Sequence, residues 1–389
     1  MDRFVYADNA ATTPVAPEVY DIIMPCIKDV YGNPSSIYSK GAEAAEIMSD
    51  ARERIAYVLG CTSKEIYFTA SGSEADNWAI KGTARAYIKR GKHLITTKFE
   101  HHAVINTMKS LEKEGFEVTY LDVDSDGQIK PEDVEKAIRT DTTLIAIMYA
   151  NNEIGSILPI KEIAQIARDH KIICFTDAVQ AVGSIPVNVK DLGVDMLAMS
   201  GHKINAPKGI GVLYIRSGVR VLNLIDGGGQ EKNKRGGTEN LPYIAGLAKA
   251  LELANERLPD MVRIRKMRDR LIDGILKIPY TRLNGGINNR LPGNVNATFE
   301  FVEGESLLLL LDMSGICAST GSACSSNSLD PSHVLLAIGV PVEVAHGSLR
   351  FSLSHQNTED DVDYILEKLP PIVEKLRAMS PLYEKIGGK

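Results

Sequence analysis

Short apolar runs alternate with longer amphipathic stretches over the first 215 residues of the chain. Helical periodicity covers residues 74–90, 102–114, 131–139 and 160–170. Between these stretches lie six runs with the length and composition of buried strands: IYFT (66–69), LITT (94–97), LIAIMYA (144–150), IICFT (172–176), MLAM (196–199) and VLYI (212–215). Strands separated by helices predict βαβ units, so we expect an α/β fold with a large, mostly parallel sheet.

The pattern changes after about residue 240. Two long helical stretches cover 239–256 and 259–277, and a mixed segment, LPGNVNATFEF, follows them. Another helix is predicted over 305–313, and a helical stretch begins at 358. We therefore predict a large domain over 15–258 and a smaller α+β domain formed by 1–14 and 259–389, which carries a loop of small and polar residues at about 315–333.

Composition and charge exclude several classes of protein. The 389 residues carry a formal net charge of -6. A protein that binds nucleic acid normally has an excess of basic residues for the phosphate backbone, so nucleic acid is not an expected main partner. No apolar run approaches the ~20 residues of a membrane-spanning helix, and the N-terminal residues show no secretory pattern. Five scattered cysteines without a CxxC pair indicate a reducing compartment, and we expect the protein in the cytoplasm.

Two polar clusters follow predicted strands, at the edge where parallel strands bind ligands. Asp177 ends the run IICFTD, and Lys203 follows MLAMSGH. An acid can hold a protonated ring nitrogen and a lysine can form a Schiff base, which together are the minimum that pyridoxal 5′-phosphate requires. From the residues alone, Asp177 can equally cap a helix and Lys203 can equally be a solvated loop lysine.

A third strand runs into the segment SGSEADN at the start of a predicted helix. The free N–H groups of a helix N-terminus bind phosphate, and Gly72 and Ser73 would add close approach and a hydroxyl. The same segment also fits an ordinary capping box formed by Ser71 and Glu74. The two interpretations are compatible, because a capped helix start can also bind an anion.

Three further residues have both a functional and a structural interpretation. His101 follows the strand LITT, where an imidazole could stack on a ring or move protons. Cys324 lies among small residues in a predicted surface loop, where it is either a reactive or an inert thiol. Arg350 lies in a strand-like alternation and either holds a carboxylate or is simply exposed.

The chain resembles the cysteine desulfurases of the NifS/IscS type, which are fold-type I enzymes that use pyridoxal 5′-phosphate and are related to class V aminotransferases. The resemblance runs almost end to end. Its motifs are YADNAATTP (6–14), YGNPSS (31–36), SGSEADN (71–77), EHHAV (100–104), NNEIG (151–155), TDAVQAVG (176–183), SGHKINAPKGIG (200–211), GGGQEKNKRGGTEN (227–240), LPGNVN (291–296), STGSACSS (319–326) and SLRFSLS (348–354). The fold that it implies has a seven-stranded sheet flanked by helices, plus a smaller α+β domain.

The resemblance also implies a role for each matching residue. Lys203 would bond to pyridoxal 5′-phosphate, Asp177 would pair with its ring nitrogen, and His101 would stack on the ring and assist proton transfers. Arg350 would bind the substrate carboxylate, and Cys324 would accept the sulfur. The other implied contacts are to the ring hydroxyl (Gln180), to a cofactor oxygen and the substrate carboxylate (Asn152), to the phosphate (Gly72, Ser73, Ser200, His202) and to a phosphate in the partner subunit of a homodimer (Thr238).

The implied reaction converts L-cysteine to L-alanine and leaves a persulfide on Cys324. The sulfur would then pass to an acceptor such as an iron–sulfur scaffold protein, which would dock on the C-terminal segment LRAMSPLYEK unless that segment is only an amphipathic helix end. No metal is expected in the free enzyme, although Cys324 could contact an iron–sulfur cluster on a scaffold. Nucleic acid and membrane are not expected partners.

Three positions depart from the family's usual pattern. Tyr38 stands where His is frequent, Ser73 replaces Thr, and Lys232-Asn233-Lys234 replaces an Arg-Gly pattern.

Other functions remain possible for a chain with these motifs. The alternative activities on the same fold are those of a selenocysteine lyase, a β-eliminating cysteine lyase and an aminotransferase. An alternative of another class is a catalytically inactive assembly or regulatory partner.

Overall fold

The computed structural model describes residues 3–320 and 331–385. Its strands are β1 (Val5–Tyr6), β2 (Ile66–Thr69), β3 (His93–Thr97), β4 (Glu117–Leu121), β5 (Thr142–Ala146), β6 (Ile173–Asp177), β7 (Met196–Ser200), β8 (Gly211–Ile215), β9 (Thr281–Leu283), β10 (Asn294–Phe299), β11 (Ile316–Cys317) and β12 (Ser348–Ser352). Its helices are α1 (Pro17–Lys28), α2 (Ser39–Leu59), α3 (Gly72–Ala86), α4 (His102–Lys113), α5 (Pro131–Lys136), α6 (Ile160–Asp169), α7 (Val189–Leu192), α8 (Gln230–Asn233), α9 (Leu241–Glu256), α10 (Met261–Ile275), α11 (Gly304–Met313), α12 (His333–Ala337), α13 (Val342–Ala345), α14 (Glu359–Ala378) and α15 (Pro381–Lys385).

Seven strands form the large sheet in the order β2-β8-β7-β6-β5-β3-β4. The strands from β7 to β4 run parallel to one another, and β8 is antiparallel to both β2 and β7. Separate apolar clusters cover the two faces of this sheet, as the burial of a parallel sheet between helices requires. The predicted α/β fold with a large, mostly parallel sheet is therefore confirmed.

The sequence pattern missed or misplaced several elements of the large sheet and its helices. It missed β4, a half-exposed edge strand whose alternation EVTYL lacks a continuous apolar run. The strand predicted over 144–150 ends at Ala146, because the N–H group of Met148 turns to the carboxylate of Glu100 instead of a neighbouring strand. The helix predicted over 74–90 ends at Ala86, and both α1 and α2 were missed.

The C-terminal third forms a second, smaller core. There β10 lies between β9 and β12 in an antiparallel sheet, and α10, α11 and α14 pack beside it. Val5 and Ala7 belong to this apolar cluster, and β1 pairs in parallel with β11. The first residues of the chain therefore pack with its last third. Separately, none of the helices in the described ranges is both long enough and apolar enough to cross a membrane.

Three features of this fold converge on one place. The carboxyl ends of β6 and β7 lie side by side, and α3, which begins at Gly72, packs against β5, β6 and β7. The segment after β1 crosses the same region, where the N–H group of Thr13 donates to the carbonyl of His202 over 2.9 Å. This arrangement places the N-terminal segment against the sheet edge where ligands bind in α/β proteins.

Candidate active site

A cavity of about 400 Å³ opens at the carboxyl ends of β6 and β7. Ten of the residues singled out from the sequence line it: Gly72, Ser73, His101, Asn152, Asp177, Gln180, Ser200, His202, Lys203 and Arg350. Thr238 does not line it, and Cys324 lies outside the described residues. The structure thus brings together residues that are up to 278 positions apart, since Gly72 and Arg350 line the same cavity.

Lys203 ends a short 3-10 turn that follows β7 directly. Its amino group donates to the carbonyl oxygens of Ala10 and Ala11 over 2.6 and 2.7 Å. The side-chain amide of Gln180 donates to the same Ala10 carbonyl over 2.9 Å. The N-terminal segment therefore holds the amine of Lys203 in the cavity, a contribution of main-chain carbonyls that sequence patterns do not show.

Asp177 is the last residue of β6 and is buried. Burial raises the pKa of its carboxyl to about 6, and two effects oppose that rise: a hydrogen bond from the N–H group of Val179 and the positive charge of Lys203. The carboxylate is therefore ionised at neutral pH in a region of low polarity. Such a group attracts a proton or a protonated nitrogen on a ligand.

The N-terminus of α3 also lines the cavity, through Ser71, Gly72 and Ser73. The hydroxyl of Ser71 accepts a hydrogen bond from the N–H group of Glu74, so Ser71 caps the helix as predicted. The carboxylate of Glu74 accepts from the N–H group of Ala70, one residue before the cap, and not from that of Ser71, so only half of the predicted capping box forms. A side chain at Gly72 would bring its Cβ within 2.8 Å of Val179, which explains why this position has none. The first N–H groups of the 15-residue helix and the nearby Ser73 hydroxyl suit a bound anion.

His101 caps α4 with its own side chain. Its Nδ1 accepts a hydrogen bond from the N–H group of Ala103 over 3.1 Å, so in the neutral ring the proton is on Nε2. Burial, and then the charges of Lys203, His102 and His333, lower the pKa of His101 to about 4. The imidazole is therefore uncharged at neutral pH and offers a flat ring to the cavity.

Arg350 lies in the middle of β12 and is only 3% exposed, so the alternative of a simply exposed arginine is wrong. Its guanidinium donates to the carbonyl of Asn152 over 2.9 Å and forms an ion pair with Asp8 at 2.9 Å. Its Nε–H group is buried without a hydrogen-bond partner among the described residues. The guanidinium is thus fixed by two protein groups and keeps donor capacity for an anion in the cavity.

Sequence reasoning missed several acidic groups in and around the cavity wall. Asp76, Glu100 and Glu153 are all buried, and burial is the main reason that the pKa of Glu100 is raised to about 8 and that of Glu153 to about 7. Glu153 accepts a hydrogen bond from the hydroxyl of Ser332. All three acids stand in family motifs, SGSEADN, EHHAV and NNEIG, and this position was the indication that they could belong to the site. They were passed over because acidic residues are ordinarily exposed to solvent.

Most of the chain is similar to proteins of one known family. The profile of the family "Aminotransferase class-V" matches residues 5–365. A relative called "Cysteine desulfurase IscS" from Methanosarcina thermophila is 56% identical over 385 residues, which is 99% of this chain and 95% of that relative. A relative with the same name from Clostridium botulinum (strain Hall) is 53% identical over 388 residues, which is 99% of this chain and 98% of that relative.

Solved structures resemble the fold over nearly the same length. A structure titled "NIFS-LIKE PROTEIN" superposes with a TM-score of 0.91 at 40% identity and covers 96% of this chain and all of that chain. Another, titled "SspA in complex with cysteine", has a TM-score of 0.80 at 38% identity and covers 90% of this chain and 98% of the other. Sequence and fold therefore point to the same group of proteins.

Proposed function

Because the chain belongs to the aminotransferase class-V family and, within it, to the cysteine desulfurases, we propose that the cavity binds L-cysteine and pyridoxal 5′-phosphate together and that the sulfur leaves on Cys324. The protein is a pyridoxal 5′-phosphate-dependent enzyme of this family, and L-alanine is the other product. The observation that carries the residue assignments is the shared cavity, which is lined by Lys203, Asp177 and Arg350.

The residues that line the cavity fit this cofactor by their chemistry. Its phosphate needs N–H groups and hydroxyls, which the start of α3 with Ser73, together with Ser200 and His202, supplies. Its ring nitrogen needs a buried anion, which is Asp177, and its aldehyde needs an amine, which is Lys203. When it is bound, pyridoxal 5′-phosphate supplies an aldehyde that bonds to amines and a ring that accepts electrons from the substrate carbon.

The protein's own groups then bind, orient and move protons. Lys203 is the residue placed to remove and return the proton on the substrate Cα, because its amine lies in the cavity on the Ala10 and Ala11 carbonyls. His101 presents a neutral ring for stacking and holds a proton on Nε2 that it can donate. Gln180 and Asn152 line the cavity between these groups and are proposed to contact the ring hydroxyl and the substrate.

Four cysteines lie in the described part of the chain, and none of them lines the cavity. Burial raises the pKa of all four thiols, to about 12 for Cys61, so none of them is an activated thiolate. This supports Cys324 as the sulfur acceptor. The net reaction balances: the substrate C–S bond and the S–H bond of Cys324 break, an S–S bond forms, and the hydrogen completes the methyl group of alanine.

Replacing Cys324 with alanine tests the proposed acceptor. We expect the wild-type holoenzyme, treated with L-cysteine without reductant, to gain the mass of one sulfur atom on Cys324 and to release L-alanine. The Cys324→Ala variant should do neither, because no thiol remains to take the sulfur. Intact-mass spectrometry with a parallel alanine and pyruvate assay measures both results.

The matched control is Cys317→Ala, which removes a partly buried thiol on β11 that has no assigned role and should leave the gain of sulfur unchanged. Equal release of pyruvate and sulfide by the wild type and Cys324→Ala would show that the enzyme is a β-eliminating lyase. A preference for selenocysteine over L-cysteine in the same assay would show a selenocysteine lyase instead.

Arg350→Lys should raise the KM for L-cysteine by at least about tenfold, with a smaller change in kcat. The substitution keeps the positive charge but replaces a planar fork held by Asp8 and Asn152 with a flexible point charge. Steady-state kinetics at a fixed, saturating cofactor concentration checks this expectation.

Arg282→Lys on β9 of the same sheet is the matched control, because Arg282 does not line the cavity, and its KM should equal that of the wild type. A KM for Arg350→Lys within twofold of the wild-type value would remove Arg350 from the substrate site. A lower melting temperature with unchanged KM would mean that Arg350 only joins β12 to the N-terminal segment.

We further propose that the enzyme is a homodimer in which Thr238 contacts the cofactor phosphate of the partner. Thr238 follows a segment in which Glu231, Lys232 and Asn233 all have positive φ, and it does not line the cavity of its own chain. One face of α1 supports a subunit contact, because its large side chains are about half exposed; these are Tyr20, Met24 and Ile27. Tyr38 is also exposed, just before α2.

The fate of the sulfur, the compartment and the domain division complete the proposal. We propose an iron–sulfur scaffold protein as the acceptor, docking near α15, and a cytoplasmic location for the enzyme. We also keep the division into a domain over 15–258 and one formed by 1–14 and 259–389, which the separate apolar core of the C-terminal third supports.

A further inference from the structure

Asp76 is a buried carboxyl group in the cavity wall that has no place in the proposed cofactor contacts. It lies on the first turns of α3, is 1% exposed, and lines the same cavity as Lys203. Its Oδ1 is fully buried and has no hydrogen-bond partner among the described residues. A buried polar atom without a partner is unfavourable, so this carboxyl requires either a proton, a partner or both.

The surroundings of Asp76 are acidic. Its carboxylate, that of Asp177 and a ring nitrogen of His101 all lie within 4.8 Å of one another. Glu100, at the turn before α4, adds a third acid that acts on Asp76. Two carboxylates so close together in a buried site cannot both carry a charge without a large cost, so the pair keeps one proton at neutral pH.

The contacts of the two aspartates determine where that proton lies. Asp177 accepts a hydrogen bond from the N–H group of Val179 and feels the positive charge of Lys203, and both favour its ionised form. Asp76 has neither kind of support. Burial, and then the negative charges of Asp177 and Glu100, raise the pKa of Asp76 well above its usual value, which agrees with the geometry.

We propose that Asp76 is a positioning residue that remains a neutral carboxylic acid and offers its O–H group to Asp177, so that Asp177 carries the single charge of the pair. The inference rests on the proposed function, in which Asp177 faces the ring nitrogen of the cofactor. A small rotation of the Asp76 side chain, or one bridging water, brings its O–H group into hydrogen-bond contact with the carboxylate of Asp177. A donor facing Asp177 stabilises its carboxylate and hence its pairing with a protonated ring.

Two substitutions at this position separate the proposal from its alternatives. Asp76→Asn keeps the shape, the neutral state and an N–H donor, so its holoenzyme should bind pyridoxal 5′-phosphate within about twofold of the wild type. Asp76→Val removes the donor and should weaken cofactor binding about tenfold, which corresponds to the loss of a hydrogen bond to a charged group. Fluorescence titration of each apoprotein with the cofactor measures these constants.

The pH dependence of the cofactor's absorption band provides a second readout. It should match the wild type in Asp76→Asn and should shift in Asp76→Val, because only the latter leaves Asp177 without its donor. A shift in Asp76→Asn would overturn the proposal by showing that Asp76 is ionised. An unchanged band and unchanged binding in Asp76→Val would overturn it by showing that Asp76 only fills space.

Infrared difference spectroscopy of the apoproteins tests the proposal without cofactor or turnover. The wild-type minus Asp76→Asn spectrum at pH 7 should contain the C=O band of an un-ionised carboxylic acid, and its absence would overturn the proposal. The wild-type minus Glu100→Gln spectrum identifies the contribution of Glu100, whose pKa is raised to about 8. If the apoprotein shows the Asp76 band but the chain does not bind pyridoxal 5′-phosphate, the proposed function fails and the proton assignment stands.

Discussion

Lys203→Ala should lower the rate of alanine release from L-cysteine by at least about 10³-fold. The substitution removes the amine that bonds to the cofactor and that is proposed to move the Cα proton, so both functions are lost together. The fold should survive, because Gln180 still donates to the carbonyl of Ala10 when the hydrogen bonds from Lys203 to Ala10 and Ala11 are lost. Borohydride reduction followed by intact-mass spectrometry should show bound cofactor on the wild type and none on the variant.

The matched control is Lys208→Ala, which changes an exposed lysine five positions further on. Its alanine release and its mass after reduction should equal those of the wild type. If added methylamine partly restores turnover in Lys203→Ala, the loss lies in the missing amine and not in the fold. Retention of the reduced cofactor by Lys203→Ala would show that another lysine holds it and would contradict the assignment.

The strands that carry the site could be predicted because parallel strands buried on both faces are continuous apolar runs. The runs before Asp177 and Lys203 became β6 and β7, and the predicted bounds differ from the observed ones by one residue at each end at most. The edge strand β4 was missed because none of its residues is fully buried and its polar positions interrupt the apolar run. The other edge strand, β2, was predicted, because three of its four residues are buried and its apolar residues form a continuous run.

The site itself could be predicted only for residues that follow strands or stand in the family's motifs. The contacts that position them come from far along the chain: Asp8 reaches Arg350 across 342 positions, and Ala10 reaches Lys203 across 193. The carbonyls of Ala10 and Ala11 have no signature in side-chain chemistry. The proton on Asp76 depends on burial beside Asp177, which only the packing of α3 on the sheet creates.

Asp177→Asn should have opposite effects on activity and on the stability of the apoprotein. Activity should fall about 10²- to 10³-fold, because asparagine cannot supply the charge that pairs with a protonated ring nitrogen. The apoprotein should become more stable at neutral pH, because the buried charge that burial disfavours is gone. Asparagine can still accept the hydrogen bond from the N–H group of Val179, so the local geometry is kept.

The sign of the stability effect follows from the pKa of Asp177, which is about 6 in the folded chain and about 3.9 when unfolded. Between these values the folded state holds more protons, so the stability of the wild type falls as pH rises from about 4 to 6. Asp177→Asn does not share that loss. Its free energy of unfolding should exceed that of the wild type at pH 7.5, by on the order of 1–3 kcal/mol, and the difference should be smaller at pH 5.

Urea unfolding of the two apoproteins at both pH values measures this difference, with Asp195→Asn as the contrasting variant. Asp195 is also buried, but it pairs with Arg216 at 2.8 Å and accepts the N–H group of Cys174, so its loss should destabilise the fold. Stabilisation by Asp177→Asn together with destabilisation by Asp195→Asn would show that Asp177 is held charged against the preference of the apoprotein. A carboxylate of this kind is there to bind a ligand, whereas the carboxylate of Asp195 stabilises the folded protein. Equal destabilisation by both substitutions would contradict this distinction and would assign Asp177 a structural role.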